Sequence, residues 1–440
     1  MTISKFPVGL PYRNPTKSYW QTPPLPIADH RTTPNLPSTS QYVIIGSGIT
    51  SASIAYKLLA KEPHTQILML EARQASSGAT GRNGGHCRAC RYTSLASDLR
   101  KFGKEEALKL DKFEEENVAN LGKLIKELGV KCDLREVESV DIWTDQEEWD
   151  DVLELLKKRQ DVFDGKMKES VLKKYKIWTR DEARKELLVP EAVGAVGFPA
   201  YALSPYKFVC GLLEILLKKG INLQTNTPVV EVNQMNSGQG TAKWIVHTLE
   251  RGQVLADKVI LATNAYTAAL YPPLADFIIP TRSQIAAVRP GSNIAGNPAL
   301  KGTCVCNYIL RVAVEDLEVT ENSLFWIIRP FIPTSPSFSY LQLLGILDEK
   351  IGEKTAKQFK NRLVLWDIPW IQSLLLEKLR AKTDFGFVPD SMATVGMALT
   401  FQSAEALVQL LTGNEKEVDG WLPKCYKLSR VPKMERNSFS

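Results

Sequence analysis

The most regular hydrophobic pattern in the chain begins at Tyr42. Tyr42-Val43-Ile44-Ile45 is an unbroken apolar run followed at once by glycine, which predicts a short strand buried on both faces. Gly46-Ser47-Gly48-Ile49-Thr50-Ser51 comes next, then a helix-like run over 52–61, a loop at 62–66 and a second apolar strand at 67–70. Strand, glycine turn, helix and strand make a βαβ unit of about 30 residues, the size of one half of a dinucleotide-binding domain. Farther on, Leu110, Phe113, Leu121, Leu124 and Leu128 recur at helical spacing, with Gly129 placed as a stop and Lys and Glu on the wet face. Residues 149–158 and 181–187 read the same way, so a charged helical insertion is expected over 104–190. Another helix is predicted at 206–219, with Phe208, Val209, Leu212, Leu213 and Leu216 on its apolar face and Gly220 closing it. Short strands follow at 222–224, 229–232, 243–249 and 258–261. From 280 to 382 the pattern loosens: prolines and aromatic residues cluster at 326–336, and helical spacing returns near 370–379. A last helix is predicted at 403–411, ending at Gly413.

Composition narrows the class without changing these elements. The chain has 440 residues, 44% of them hydrophobic and 24% charged, which is the balance of a globular protein of two or three domains. Collagen-like, disordered and disulfide-stapled classes are excluded. The net charge of +6 is small and spread out, where a nucleic-acid binder concentrates positive charge. Seven cysteines, an odd and sparse set, suit reduced thiols in an intracellular compartment. The opening MTISKFPVGLPYRNP lacks the apolar core of a secretory signal, and the apolar stretch 42–60 carries the glycines and small hydroxyl residues of a turn. The expectation is a cytoplasmic protein with no membrane span. Residues 1–40 contain Pro7, Pro11, Pro15, Pro23, Pro24, Pro26, Pro34 and Pro37, a density that forbids regular helix and predicts an extended arm, either wrapped on the surface or loose. No internal repeat is visible.

The turn after the first strand has chemistry to offer. A pyrophosphate needs backbone N–H groups at close range and the positive end of a helix, and Gly46 and Gly48 leave room for that approach. Ser51 is small enough to stand where a third glycine would let helix and strand pack closely. Glu71 ends the second strand, where a carboxylate can accept hydrogen bonds from both ribose hydroxyls and repel a 2′-phosphate, which disfavours NADP. Strand, glycine loop, helix, strand and acid in that order is a far more specific signal than the glycines alone.

Directly after Glu71 runs Ala72-Arg73-Gln74-Ala75-Ser76-Ser77-Gly78-Ala79-Thr80-Gly81-Arg82-Asn83-Gly84-Gly85-His86, a stretch too small and polar to be core. Its Ser77–Gly85 portion resembles the second loop of the D-amino-acid oxidase family of FAD-dependent oxidoreductases, in the branch of fungal and bacterial amine dehydrogenases that reads S-G-A-T-G-R-N-G-G. Looser likenesses follow in order: Thr227-Pro228-Val229-Val230 resembles the strand that meets the adenine, Val259 to Tyr266 resembles the strand and turn closing over the nucleotide, and Pro280-Thr281-Arg282-Ser283-Gln284 is similar to the segment opening the substrate-side sheet. The resemblance implies an α/β fold in which a Rossmann-like FAD-binding domain is interleaved with a smaller α+β substrate domain built on an antiparallel sheet. The division it suggests is an arm at 1–40, an FAD domain from 41–103, 200–275 and 385–425, a helical insertion and substrate domain from 104–199 and 276–384, and a tail at 426–440.

The resemblance also implies a cofactor site. Gly46, Ser47, Gly48, Ile49 and Thr50 would meet the diphosphate, Glu71, Ala72 and Arg73 the adenosine side, and Val229, Thr263 and Asn264 the nucleotide from the opposite wall. In the second loop Ser77, Gly78, Ala79, Thr80, Arg82 and Asn83 would run past the diphosphate, with Gly84 and Gly85 close to the flavin. An arginine and exposed N–H groups suit a diphosphate and a flavin that becomes anionic on reduction. The implied reaction is oxidation of the C–N bond of an amine or amino acid by hydride transfer from Cα to flavin N5, with oxygen or another acceptor taking the electrons onward. Arg282 and Arg329 are candidate anchors for a substrate carboxylate, and no catalytic acid or base stands out. His86 sits beside the flavin loop, where non-covalent FAD is the expectation. Cys87 and Cys90 have redox or zinc spacing, yet only Cys304 and Cys306 offer a second close pair, so no metal site is expected. None of the four histidines is set up for a hydrolase triad.

The chain departs from the family near its end. Gly386-Phe387-Val388-Pro389-Asp390 starts the usual C-terminal pattern, but the predicted last helix follows too soon for a further strand and a flavin-contacting turn, and Thr394 to Met397 matches only one of them. Two alternatives therefore stand beside the enzyme: a degenerate member with impaired flavin binding, and a tailoring oxidase of secondary metabolism acting on a larger substrate.

Overall fold

The computed structural model describes residues 9–89, 91–163, 174–235, 244–275 and 396–424, together with six strands between 282 and 387. Its strands are β1 (Thr39–Ile45), β2 (Ile67–Leu70), β3 (His86–Arg88), β4 (Arg135–Trp143), β5 (Lys176–Trp178), β6 (Gly194–Ala202), β7 (Asn222–Gln224) and β8 (Val229–Gln234). They continue as β9 (Trp244–Thr248), β10 (Gln253–Leu261), β11 (Arg282–Val288), β12 (Thr303–Cys306), β13 (Ile309–Glu315), β14 (Ser323–Pro330), β15 (Val364–Asp367) and β16 (Phe385–Phe387). The helices are α1 (Ile49–Lys61), α2 (Leu95–Leu128), α3 (Gln146–Val162), α4 (Arg180–Glu186), α5 (Pro205–Lys218), α6 (Thr267–Leu270), α7 (Gly396–Leu411) and α8 (Glu415–Trp421).

The first sheet runs β7-β2-β1-β10-β9-β8, and β16 pairs parallel with the far end of β10. β1 lies parallel between β2 and β10, with Ile44 opposite Met69 and Ile260. Alternation along β1 splits its apolar run between two layers. Tyr42 and Ile44 join Leu58 of α1, Leu212 and Leu216 of α5 and Leu407 of α7 in the main core. Val43 and Ile45 face a second core with Val229, Trp244, Val246 and Val254 of the β8-β9-β10 meander. Burial on both sides is why the run reads as continuously hydrophobic.

The second sheet runs β15-β11-β14-β13-β12-β4-β6-β3, with β5 on β6. It is antiparallel except where β12 meets β4. This is the α/β plan of a Rossmann-like unit interleaved with an antiparallel sheet. β3 and β6 pair in the second sheet, so its strand pairing reaches past residues 103 and 199. Helix α2 joins the two: Phe113, Leu121, Leu124 and Ile125 enter the main core, while Asn117 donates to Met397 O at 2.6 Å and accepts from Gln402 N–H at 2.8 Å on α7. No helix among the described residues is long and apolar enough to cross a membrane.

Several elements differ from expectation for identifiable reasons. The segment 104–190 is not helical throughout, because β4 and β5 lie in it. In β4 the polar residues Ser139 and Asp141 occupy buried positions and hide the alternation: Arg88 donates to Ser139 Oγ at 2.9 Å and to Asp141 Oδ2 at 2.8 Å, and Tyr92 O–H reaches Asp141 Oδ2 at 2.7 Å. β6 is obscured by its small residues; a Cβ on Gly194 would stand 2.2 Å from the Trp149 ring. α2 starts at Leu95, ahead of the predicted 104, and breaks its helical geometry at Gly103. α7 starts at Gly396 instead of 403, and α8 follows it. The helical spacing at 370–379, the cluster at 331–336 and the tail at 426–440 lie outside the described residues.

Helix α3 is held to α2 by a dry ion pair. Arg159, 1% exposed, donates to Asp111 Oδ1 at 2.7 Å and Oδ2 at 2.6 Å. Removing one partner leaves the other charge uncompensated. Arg159→Ala is expected to lower the free energy of denaturant-induced unfolding by about 3–5 kcal/mol. A loss below about 1 kcal/mol, the scale of an exposed pair, would show that the pair is not holding these helices.

Candidate cofactor site

The site lies where β1, β2 and β10 end. Gly46 closes β1, its N–H donating to Leu70 O at 2.8 Å, and adopts φ +107°, a conformation natural to glycine. A Cβ there would stand 2.5 Å from Ala262 O, so the turn admits no side chain. Gly48 is the N-cap of α1 and supplies no side-chain cap, leaving the first turn to find acceptors elsewhere. Ile49 N–H finds Thr80 Oγ1 at 2.9 Å. Thr50 Oγ1 is buried with no partner among the described residues.

Glu71 is fixed by the glycine turn. Its Oε2 accepts from Ser47 N–H at 3.0 Å and Ser47 O–H at 2.7 Å, and its Oε1 accepts from Arg73 N–H at 2.9 Å. Ser47 Oγ in turn accepts from Ser76 N–H at 2.9 Å. One serine thus ties the glycine turn, the acid and the second loop together, a role its place between two glycines did not announce. Each carboxylate oxygen can accept more than one hydrogen bond, and Oε1 has used only one here.

A cavity of about 380 Å³ opens between these segments, a size within the range of small-molecule sites. Of the residues singled out from sequence, Gly46, Ser47, Gly48, Glu71, Ala72 and Arg73 line one side of it. Gly78, Ala79, Thr80 and Arg82 line another, and Val229, Thr263 and Asn264 a third. Asn264 Oδ1 and Arg73 Nε are buried without partners among the described residues, so the walls hold both acceptor and donor capacity. Burial first, and then the charge of Arg73, pulls the Arg82 guanidinium down to about 10, which still leaves it cationic at neutral pH. Two guanidinium groups, a helix whose N-cap is a glycine, and a turn whose two glycines leave its backbone approachable suit a diphosphate. The residues present fit a dinucleotide.

Ile49, Thr50, Ser77, Asn83, Gly84 and Gly85 stand outside the cavity lining. Asn83 braces its own loop, donating to Thr80 O at 3.2 Å and accepting from Gly85 N–H at 2.9 Å. Gly85 has φ +78°, and a Cβ on it would meet Leu203 O at 2.3 Å. Arg282 and Arg329 lie on β11 and β14 of the second sheet, where Arg329 pairs with Gln284, two residues along from Arg282. His86, on β3, is buried, and neither ring nitrogen has a partner among the described residues; burial first, and then Arg88, holds it neutral. Burial pushes the Cys87 thiol up to about 12, so it packs as an apolar group. Among the described residues no cluster of acids, histidines and cysteines is arranged to hold a metal ion.

Sequence reasoning missed one wall. Leu10, Pro11, Tyr12, Asn14, Pro15 and Thr16 also line the cavity, as do Tyr266 and Leu270. Proline density marked the arm as extended but carried no information about what it covers.

Comparison with known proteins agrees with this geometry. A probable oxidoreductase of Haemophilus influenzae is 22% identical over 329 residues, spanning 71% of this chain and 70% of its own. The gamma-glutamylputrescine oxidoreductase of Escherichia coli is 26% identical over 281 residues, spanning 62% of this chain and 61% of its own. The crystal structure of glycine oxidase from Geobacillus kaustophilus superposes with a TM-score of 0.66 at 17% identity, covering 90% of this chain and all of the other. Residues 41–312 match the FAD dependent oxidoreductase family, DAO. With more than half of its length inside that match, the chain belongs to the FAD-dependent oxidoreductases of the DAO family.

Proposed function

We propose that the protein is an FAD-dependent oxidoreductase that oxidises the C–N bond of an amine or amino acid, with FAD held non-covalently in the cavity at the ends of β1, β2 and β10. The observation that carries the cofactor's position is the convergence on one cavity of the Gly46 turn, the glycine N-cap of α1 and the Arg73 and Arg82 guanidinium groups. Substrate class rests on the relatives, one named for gamma-glutamylputrescine and another for glycine. FAD, when bound, supplies a two-electron acceptor.

The chain's own residues do the rest. Gly48, at the start of α1, would bring backbone to the diphosphate, and Arg73 and Arg82 would balance its charge. Glu71, already oriented by Ser47 and Arg73, has capacity left for ribose hydroxyls. Val229, Thr263 and Asn264 close the nucleotide side. Arg282 and Arg329, on neighbouring strands of the second sheet, are our candidates to anchor a substrate carboxylate. The electron acceptor is oxygen or another acceptor, and a cytoplasmic setting suits the reduced, buried thiols of Cys87, Cys132 and Cys210.

A second reading has one specific observation behind it. Only residues 388–395 connect β16 to α7, a span short of the further strand and turn that the family pattern leads one to expect. On that reading the chain keeps the fold and binds FAD poorly. A tailoring oxidase of secondary metabolism is the third, separated by substrate.

Two experiments test the proposal. Gly48→Val places a branched side chain against Thr80 and in the diphosphate's path, since even a Cβ would stand 3.1 Å from Thr80 Oγ1. The purified variant should carry less than about a tenth of the wild-type FAD, a loss equivalent to two or more unmet hydrogen bonds; full retention would mean the diphosphate lies elsewhere. In the other, D-amino acids, sarcosine and gamma-glutamyl polyamine conjugates are incubated with the holoprotein, and flavin bleaching is followed without oxygen and peroxide with it. Bleaching by a member of this panel is expected, and failure of every member would count against C–N oxidation of small amines.

A further inference from the structure

The cavity's remaining wall is not part of the family match, which begins at residue 41. It is the Pro-rich arm. From the cavity outward, Arg82 donates to Thr16 O at 2.5 Å and Thr16 Oγ1 at 3.3 Å. Ser18 O–H donates to Gly81 O, Gln21 Nε2 to Gly81 O at 2.9 Å and Ser77 O at 3.4 Å, and Trp20 Nε1 to Asn83 O at 2.6 Å. On the opposite rim Arg13 pairs with Glu250 at 3.1 Å, in the turn between β9 and β10. The arm therefore crosses the mouth of the cavity from the second loop to the meander.

Three features separate this segment from a fixed wall. Its contacts with the loop are side-chain hydrogen bonds, and no ladder joins it to either sheet. Past Gln21 the arm is anchored firmly: Ile27 and Ala28 are buried, Arg31 donates to Thr225 O, and Arg251 donates to Pro34 O. Before Thr16 it is thinly held, with Leu10 39% and Tyr12 76% exposed although both line the cavity. Gly81 adds an independent sign. It does not line the cavity, yet a Cβ there would stand 2.4 Å from Gln21 Nε2 and 2.6 Å from Ser76 O, so the second loop is kept bare at this point where the arm lies on it. Arg82 links the two functions, because the guanidinium that bonds Thr16 is also the one that lines the cavity.

We propose that residues 10–21 are a strap over the FAD site, latched by Ser18, Trp20 and Gln21 on the second loop, which must lift for FAD to enter or leave. This rests on the cavity being the FAD site. Occupancy and closure reinforce each other: an anion in the cavity fixes Arg82, and a fixed Arg82 holds Thr16. The strap slows exchange of the cofactor in both directions, and its apolar face, with Leu10, Pro11 and Tyr12, shields the nucleotide from water.

The test compares full-length wild type with Ser18→Ala/Gln21→Ala, which removes three latch hydrogen bonds, and with Glu250→Ala at the far rim. None of these residues is among those assigned to the cofactor. FAD release is followed by flavin fluorescence after dilution, and backbone amide exchange over 10–21 is measured in apo- and holoprotein. The strap predicts that FAD slows exchange of these amides in wild type at least about tenfold, and that Ser18→Ala/Gln21→Ala releases FAD about tenfold faster, the scale of a few net hydrogen bonds. Glu250→Ala should change release in the same direction by a smaller factor, as an exposed pair would. If wild type binds FAD but arm exchange is the same in both forms and release from the variants stays within about twofold, the strap is wrong and the cofactor site stands. If wild type takes up no FAD, both fall. Should the double variant fail to fold, the wild-type exchange comparison and Glu250→Ala decide the matter.

Discussion

Everything at the site depends on the backbone passing between the ends of β2 and β10 at Gly46. The strand must turn there with φ +107°, and a Cβ at that position would stand only 2.5 Å from Ala262 O. Because β1 pairs parallel with both neighbours, the three strands end together, and whatever follows them is delivered to one place. α1 leaves from that point with its N-cap Gly48 on the cavity lining, Glu71 follows β2 beside it, and Thr263 and Asn264 follow β10. Ser47 then fixes the separation of turn, acid and second loop through hydrogen bonds of 2.7 to 3.0 Å.

The parts of the fold that were legible in the sequence are those whose burial is simple. The Tyr42–Ile45 run of β1 and all of β2 are apolar because both faces are covered, and α5 shows a clean stripe because one face packs on the sheet. Local pattern fails where polar groups are buried in partnership. Ser139 and Asp141 look like surface residues until Arg88 and Tyr92 arrive from distant sequence to satisfy them. It fails also where side chains are removed to make room, as at Gly194 beneath Trp149. Both are tertiary facts, and propensity has no access to them.

The candidate site divides along the same line. Its glycines and acid were visible because close approach to a phosphate restricts residue type at fixed spacing, and its second loop through resemblance to a known loop. The arm was not visible as a wall, since proline specifies an extended chain but not its partner. The resemblance offers Arg82 to the diphosphate and the reduced flavin, and does not show that its guanidinium also bonds Thr16. The resemblance implies that Asn83 is a donor, whereas its amide is occupied within its own loop. These side chains were given roles by resemblance in residue type, whereas their hydrogen bonds are decided by neighbours up to 66 residues away.

The central claim is that one preformed cavity at the ends of β1, β2 and β10 receives FAD. It is tested most directly by titrating the deflavinated protein with FAD and following tryptophan and flavin fluorescence. Saturation at one equivalent per chain, with ADP competing because the site grips the nucleotide half, is the result expected. A signal that rises without saturating, or saturable binding that ADP leaves untouched, would contradict it.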